Sequence, residues 1–256
     1  LYRACRRLAG LGHITLDQAA HPTLAQTSSR IIDLLQRFVM SVAHRLDVIA
    51  PFHVMAILEK AKALEAAGHD VIHMEIGEPD FPTPAPIVAA GMAALQAGQT
   101  FYTPALGIPA LRQAIADFYQ QRYQITLPAH RIVVTPGASG ALQLALAALI
   151  NPGEQVLLPD PTYPCNRHLV SLVNGQPVSI PVDASSGYQL GADDIARHWS
   201  ANTVAAMIAS PANPTGTLIS PQALAGLYQA VNQRGGTLLV DELYHGLTYA
   251  GAAHSA

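Results

Sequence analysis

The apolar positions of this chain follow two alternating rhythms. From Arg131 onward, short and nearly continuous apolar runs are separated by stretches with helical spacing. "RIVVT", "QVLLP", "PVSIPV", "TVAAMIAS" and "TLLVDE" read as strands. Between them, "SGALQLALAALI", a segment near 164–173 and "SPQALAGLYQAVNQRG" read as helices, the last with Ser220 as its N-cap. Strands that are apolar throughout are buried on both faces. Repeated β-α-β order with such strands predicts an α/β fold, a mostly parallel sheet with helices on both faces.

Upstream the pattern is mixed. Val54, Ile57, Leu58, Ala61 and Leu64 or Glu65 keep helical spacing, and Gly68 stands where that helix should stop. "VIHMEIG" reads as a short strand. "GEPDFPTP" is irregular, because its three prolines remove donors and fix φ. A helix is expected from about Pro86 to Ala97, then the loop "FYTPALG", then an amphipathic helix "IPALRQAIADFYQQRY" entered through a proline. Residues 1–39 are rich in arginine, poor in acids and poorly patterned. They are expected to be an atypical leader, either a targeting segment or a stretch ahead of a true start at Met40. The chain thus divides into 1–39, 40–80 and 81–256.

Composition narrows the function classes. Half of the 256 residues are hydrophobic and 12% are charged, which suits a well-buried core. The net charge is −3 with no basic stripe, so nucleic acid is not an expected partner. The longest apolar stretch, 141–150, is too short to span a bilayer, so no membrane association is expected. Cys5 and Cys165 form no disulfide framework, which favours a reducing, cytoplasmic compartment. The 11 histidines show no metal-ligand spacing, so no metal site is expected. The only lysines are Lys60 and Lys62.

Four Gly/Pro-rich stretches follow predicted strands: "PGASG" (136–140), "DPTYP" (160–164), "SPANPTG" (210–216) and "DELYHG" (241–246). In open α/β sheets the carboxyl edge of the strands is where ligands bind, so four such loops should converge on one crevice. "PGASG" reads equally well as a tight turn or as an anion cradle at a helix N-terminus. Taken alone, "DPTYP" is a proline-framed turn and Asn213 a turn residue bonding its own backbone. Asp241 is different. A carboxylate ending a buried strand is costly unless a cation or donors meet it. It could cap a helix or hold a metal, but no ligand set accompanies it, which makes an organic cation attractive.

Six stretches occur in order: "IGEPDFPTP", "YTPALGIPALRQAIA", "VVTPGASGAL", "DPTYP", "SPANPTG" and "DELYHGLTY". Together they resemble the pyridoxal-phosphate-dependent aminotransferases of class I/II, fold type I, from about Val42 to Ala256. The resemblance implies pyridoxal 5'-phosphate as cofactor, with an amino acid and a 2-oxo acid as substrates. It implies a homodimer and a place in amino acid metabolism and biosynthesis. Residues 40–80 would be an N-terminal piece of the small domain with the substrate loop, and 81–256 an incomplete large domain. Gly137, Ala138 and Ser139 match the phosphate cradle, and Tyr163 the aromatic that stacks on the pyridine ring. Asn213 and Tyr244 match the groups that reach the phenolic oxygen. Asp241 matches the carboxylate that pairs with the protonated ring nitrogen of a cofactor that acts as an electron sink. Gly77 matches a glycine against the substrate carboxylate, and Tyr102 a tyrosine that reaches the neighbouring subunit's phosphate. Glu242 is read as structural and turned away, His73 and His245 as structural, and Cys165 as a small buried filler.

The sequence departs from the family in what it lacks: the arginine that binds the substrate carboxylate near the family's C-terminus, the last strands of the large domain, most of the small one, and the catalytic lysine. The lysine that forms the family's internal Schiff base, nucleophile and then general base, follows the position of Tyr244 by a few dozen residues. No lysine is found from Ala63 to Ala256. The expectation is a C-terminally truncated aminotransferase that is inactive as it stands. A C–S lyase of the same cofactor class and a non-catalytic remnant are the alternatives.

Overall fold

A four-stranded, wholly parallel sheet organises the molecule. In the computed structural model, residues 42–79 and 81–249 are described. The proposed leader, 1–39, lies outside them. The strands are β1 (Gln155–Asp160), β2 (Gln176–Pro181), β3 (Thr203–Ala209) and β4 (Thr237–Asp241), in the spatial order β2-β1-β3-β4. Gln155 stands opposite Gln176, Val156 opposite Ala205, and Ala209 opposite Asp241. Seven helices are described: α1 (His53–Ala66), α2 (Ala85–Gln96), α3 (Pro109–Tyr123), α4 (Gly137–Leu149), α5 (Cys165–Leu172), α6 (Ala192–His198) and α7 (Pro221–Asn232). The described residues from His44 onward form one compact unit.

Side chains alternate across the pleat, so each central strand feeds two cores. Val156 and Leu158 of β1 join Ala205 and Met207 of β3 beneath α4 and α5, with Leu146 and Val170. Leu157 joins Ala206 and Ile208 on the other face beneath α6 and α7, with Ile195, Leu227 and Val231. Helices therefore cover both faces, as the apolar runs predict. The chain leaves β1 through α5 to β2 at one edge, then recrosses through α6 to β3 on the far side of β1. The strand order reverses there, and a crevice opens between the carboxyl ends of β1 and β3.

Three expectations are corrected. "RIVVT" forms no strand: Arg131 ends a short 3-10 turn and 132–135 run extended. Among the described residues, its backbone bond to another segment is Val134 N–H to Leu106 O at 3.0 Å, and a single bond makes no ladder. "VIHMEIG" forms no strand for the same reason, with Ile72 and Met74 exposed. β4 is half-buried along its length rather than buried, because among the described residues it pairs only with β3. Helix α6 carries no strong apolar period and is absent from the sequence reading; Asp194 accepts from Gly191 N–H at 2.8 Å and starts it.

Leu157 is fully buried and Leu95 on α2 is 67% exposed. Leu157→Ala should cost about 2–5 kcal/mol in urea denaturation. Leu95→Ala should stay within about 0.5 kcal/mol.

Candidate functional site

Parallel strands deliver their following turns to one edge, and the structure brings all four polar turns together there. A cavity of about 240 Å³ is lined by Gly137, Ala138 and Ser139 of the first, Tyr163 of the second, Pro211 and Asn213 of the third, and Asp241 and Tyr244 of the fourth. Leu142, Ala209 and Leu243 complete an apolar wall.

One end suits an anion. Helix α4 begins at Gly137, and no side chain caps it. The first N–H groups of a helix have no partner within it, and the helix dipole adds positive potential there. Gly137 has φ +75°, a left-handed conformation that favours glycine. It turns the chain from the extended run at 132–135 into the helix, leaving Ala138 and Ser139 at the cavity wall. The Ser139 hydroxyl is a further donor.

The other end suits a cation. Among the described residues, Asp241 is the only charged one lining the cavity. Its Oδ1 accepts from Leu243 N–H at 3.0 Å, and its Oδ2 has no hydrogen-bond partner among the described residues. A carboxylate at a half-enclosed wall without a counter-ion attracts a cationic donor.

Asn213 is held by a tightly bonded loop. Ala212 N–H donates to Thr217 O at 2.9 Å and Gly216 N–H to Ala212 O at 2.7 Å. Gln189, buried, donates from Nε2 to Ala209 O at 3.1 Å and ties this loop to the end of β3. Ser210 N–H donates to Asp241 O at 3.0 Å, which locks the third and fourth turns together. Gln189 is absent from the sequence reading; a lone polar residue in "GYQLG" gives little signal. Tyr163 meets Phe52 edge to face with centroids 5.8 Å apart. Hydrogen bonding to the Cys165 thiol, then burial, push the Tyr163 phenol up to about 12, with the nearby Tyr244 and Asp241 adding to the rise.

A second cavity of about 970 Å³ adjoins the first and shares Tyr163, Pro211, Asn213 and Tyr244 with it. Gly77 lines this larger space, and a Cβ built there would meet nothing within 4 Å. Tyr102 is fully exposed and reaches neither cavity. Lys60 and Lys62 are exposed on α1 and also line neither. Glu242 lies outside both; its charge, after burial, raises the phenol of Tyr119 on α3. The His245 ring stacks against Tyr123 of α3 at 4.3 Å, which braces the Asp241–Gly246 turn from behind. No group of three or more metal-ligating side chains occurs among the described residues, and no described helix is long and apolar enough to cross a membrane.

The raised phenol gives a prediction with a definite sign. The folded state keeps the Tyr163 proton to higher pH than the unfolded chain, whose tyrosines titrate near 10. Stability is unaffected by this group below pH 10 and falls as pH rises from 10 toward 12. Tyr163→Phe should therefore lose less unfolding free energy between pH 9 and 11 than the parent, measured by urea denaturation at each pH.

Comparison with known proteins gives this geometry a family. A sequence model described as aminotransferase class I and II matches residues 69–256. A valine–pyruvate aminotransferase of Mycobacterium tuberculosis is 37% identical over 208 residues, 81% of this chain and 53% of that protein. An aspartate aminotransferase of Geobacillus stearothermophilus is 34% identical over 215 residues, 84% of this chain and 55% of that one. The crystal structure of an aminotransferase from Mycobacterium tuberculosis superposes with a TM-score of 0.80 at 37% identity, covering 84% of this chain and 55% of its own. Aspartate aminotransferase from Thermus thermophilus with maleate gives 0.80 at 28% identity, covering 85% and 57%. The chain spans about half the length of the relatives it matches. The fold matches part of the solved aminotransferases, and the chain belongs to the class I and II aminotransferase family.

Proposed function

We propose that this chain is the cofactor-binding part of a pyridoxal-phosphate-dependent aminotransferase, which moves an amino group between an amino acid and a 2-oxo acid. The observation that carries the reading is the polarity of the smaller cavity: uncapped helix donors at one end, an uncompensated carboxylate at the other. A phosphorylated pyridine with a protonated ring nitrogen has those two features, so the residues present fit the cofactor. When bound, it supplies an electron sink for the carbanion at the substrate's α-carbon.

The chain's own residues would divide the work. Ala138 and Ser139, with the N-terminus of α4, hold the phosphate. Asp241 holds a proton on the ring nitrogen by opposite charge, an effect worth about 1–3 pKa units for a close pair. Tyr163 covers one face of the ring. Asn213 and Tyr244 donate to its phenolic oxygen. The high pKa of Tyr163 keeps that side chain neutral, so it adds no second negative charge beside Asp241. Gly77 leaves room for the substrate carboxylate in the larger cavity. The full protein would be a cytoplasmic homodimer, with Tyr102, fully exposed here, directed to the partner's site. Residues 40–80 would belong with a small domain and 81–256 with the large one.

Neither lysine reaches the cavity, so these 256 residues by themselves should hold the cofactor without a covalent bond and should not complete transamination. Pyridoxamine phosphate should bind in a fluorescence titration. Asp241→Asn should weaken it about 10- to 100-fold, the worth of one hydrogen bond to a charged group. Tyr102→Phe should leave binding by the single chain unchanged. Borohydride reduction after loading with one equivalent of pyridoxal phosphate should leave no stoichiometric mass adduct on Lys60 or Lys62. Equal affinity of the parent and Asp241→Asn would contradict the reading, as would a stoichiometric adduct on either lysine.

A further inference from the structure

We propose that α3, which lines neither cavity, is the spacer that sets the two poles of the smaller cavity against each other, with Arg112 and Tyr123 as its positioning residues. The inference deepens the cofactor reading and rests on it. The anion pole is the entry into α4 at Gly137, Ala138 and Ser139, and the cation pole is the turn that carries Asp241 and Tyr244. Both poles sit on turns, which are more mobile than the elements they join unless something packs against them.

Near its start, α3 grips the run that leads into the anion pole. Arg112 Nε donates to Ile132 O at 2.9 Å and Nη2 to Ala129 O at 2.6 Å. One guanidinium thus holds two carbonyls in a planar fork, which an ammonium cannot do. The loop ahead of the helix packs on the same run: a Cβ built on Gly107 would come within 2.6 Å of the Val134 side chain. At its other end α3 grips the cation pole. Tyr123 is its last residue, and its ring meets that of His245, the neighbour of Tyr244, at 4.3 Å. Phe118 and Tyr119 hold the Tyr123 ring edge to face, with centroids at 5.8 and 5.5 Å. A helix is stiff along its axis, and the two grips lie about 16 Å apart along it, at about 1.5 Å rise per residue. Displacing either turn therefore works against the other through one rigid body. A ligand with a phosphate at one end and a ring nitrogen at the other depends on that separation.

The test reads the two poles separately in bound pyridoxamine phosphate, by the ³¹P shift of the phosphate and the ¹⁵N shift of the ring nitrogen, with affinity from a fluorescence titration. Arg112→Lys keeps the charge and loses the fork; it should weaken binding about three- to tenfold and move the ³¹P signal. Tyr123→Leu should weaken binding by a similar factor and lower the pH at which the bound ring nitrogen loses its proton. Tyr123→Phe keeps the ring and should behave as the parent. Because both grips act through one helix, the double variant should weaken binding by less than the product of the two single factors. His245→Leu removes the same stack from the turn's side and takes the place of Tyr123→Leu if that variant does not fold. Folded single variants with parental affinity and parental spectra would overturn the spacer role alone, as would strict additivity. Failure of the parent chain to bind pyridoxamine phosphate would overturn the cofactor reading and this inference with it.

Discussion

The structure turns on a carboxylate that the described residues leave without a cation. Asp241 closes β4 and, among the described residues, lines a cavity with no other charge, its Oδ1 bound to a backbone N–H and its Oδ2 without a partner. Such an arrangement costs stability unless a ligand relieves it. The remaining features of the site follow from the need to present that group. β4 hydrogen-bonds to β3 along its length, so Asp241 is fixed against the third turn through Ser210. The fourth turn is braced from behind by the His245–Tyr123 stack. The cavity exists because a parallel sheet whose strand order reverses at β1 and β3 cannot close its carboxyl edge with backbone alone.

The opposite end of the cavity uses a different source of charge. No described lysine or arginine lines it; the positive potential comes from the uncapped start of α4. A site built from a helix terminus and one acid recognises a dipolar ligand by its length and polarity, and it needs few charged side chains. The low charged fraction of the whole chain agrees with that economy.

Much of this was legible in the residues. The strands β1, β3 and β4, and helices α3, α4 and α7, announced themselves because a buried strand or a one-sided helix needs a regular apolar period. The convergence of "PGASG", "DPTYP", "SPANPTG" and "DELYHG" followed from parallel order alone. What failed were the extended segments. "RIVVT" and "VIHMEIG" have strand composition, yet a strand requires a ladder partner, and partners are a property of the fold and not of the segment. Gln189 escaped for a related reason: its work is done across the chain, on the carbonyl of Ala209.

In the proposed reading, Asp241 keeps a proton on a pyridine nitrogen. The most direct measurement is the ring nitrogen chemical shift of ¹⁵N-labelled pyridoxamine phosphate bound to this chain, followed as pH is raised. The expected result is a pyridinium shift that persists well above the pH at which the free ligand loses that proton, and its loss in Asp241→Asn. A neutral pyridine shift in the parent chain, or the same titration in both proteins, would contradict it.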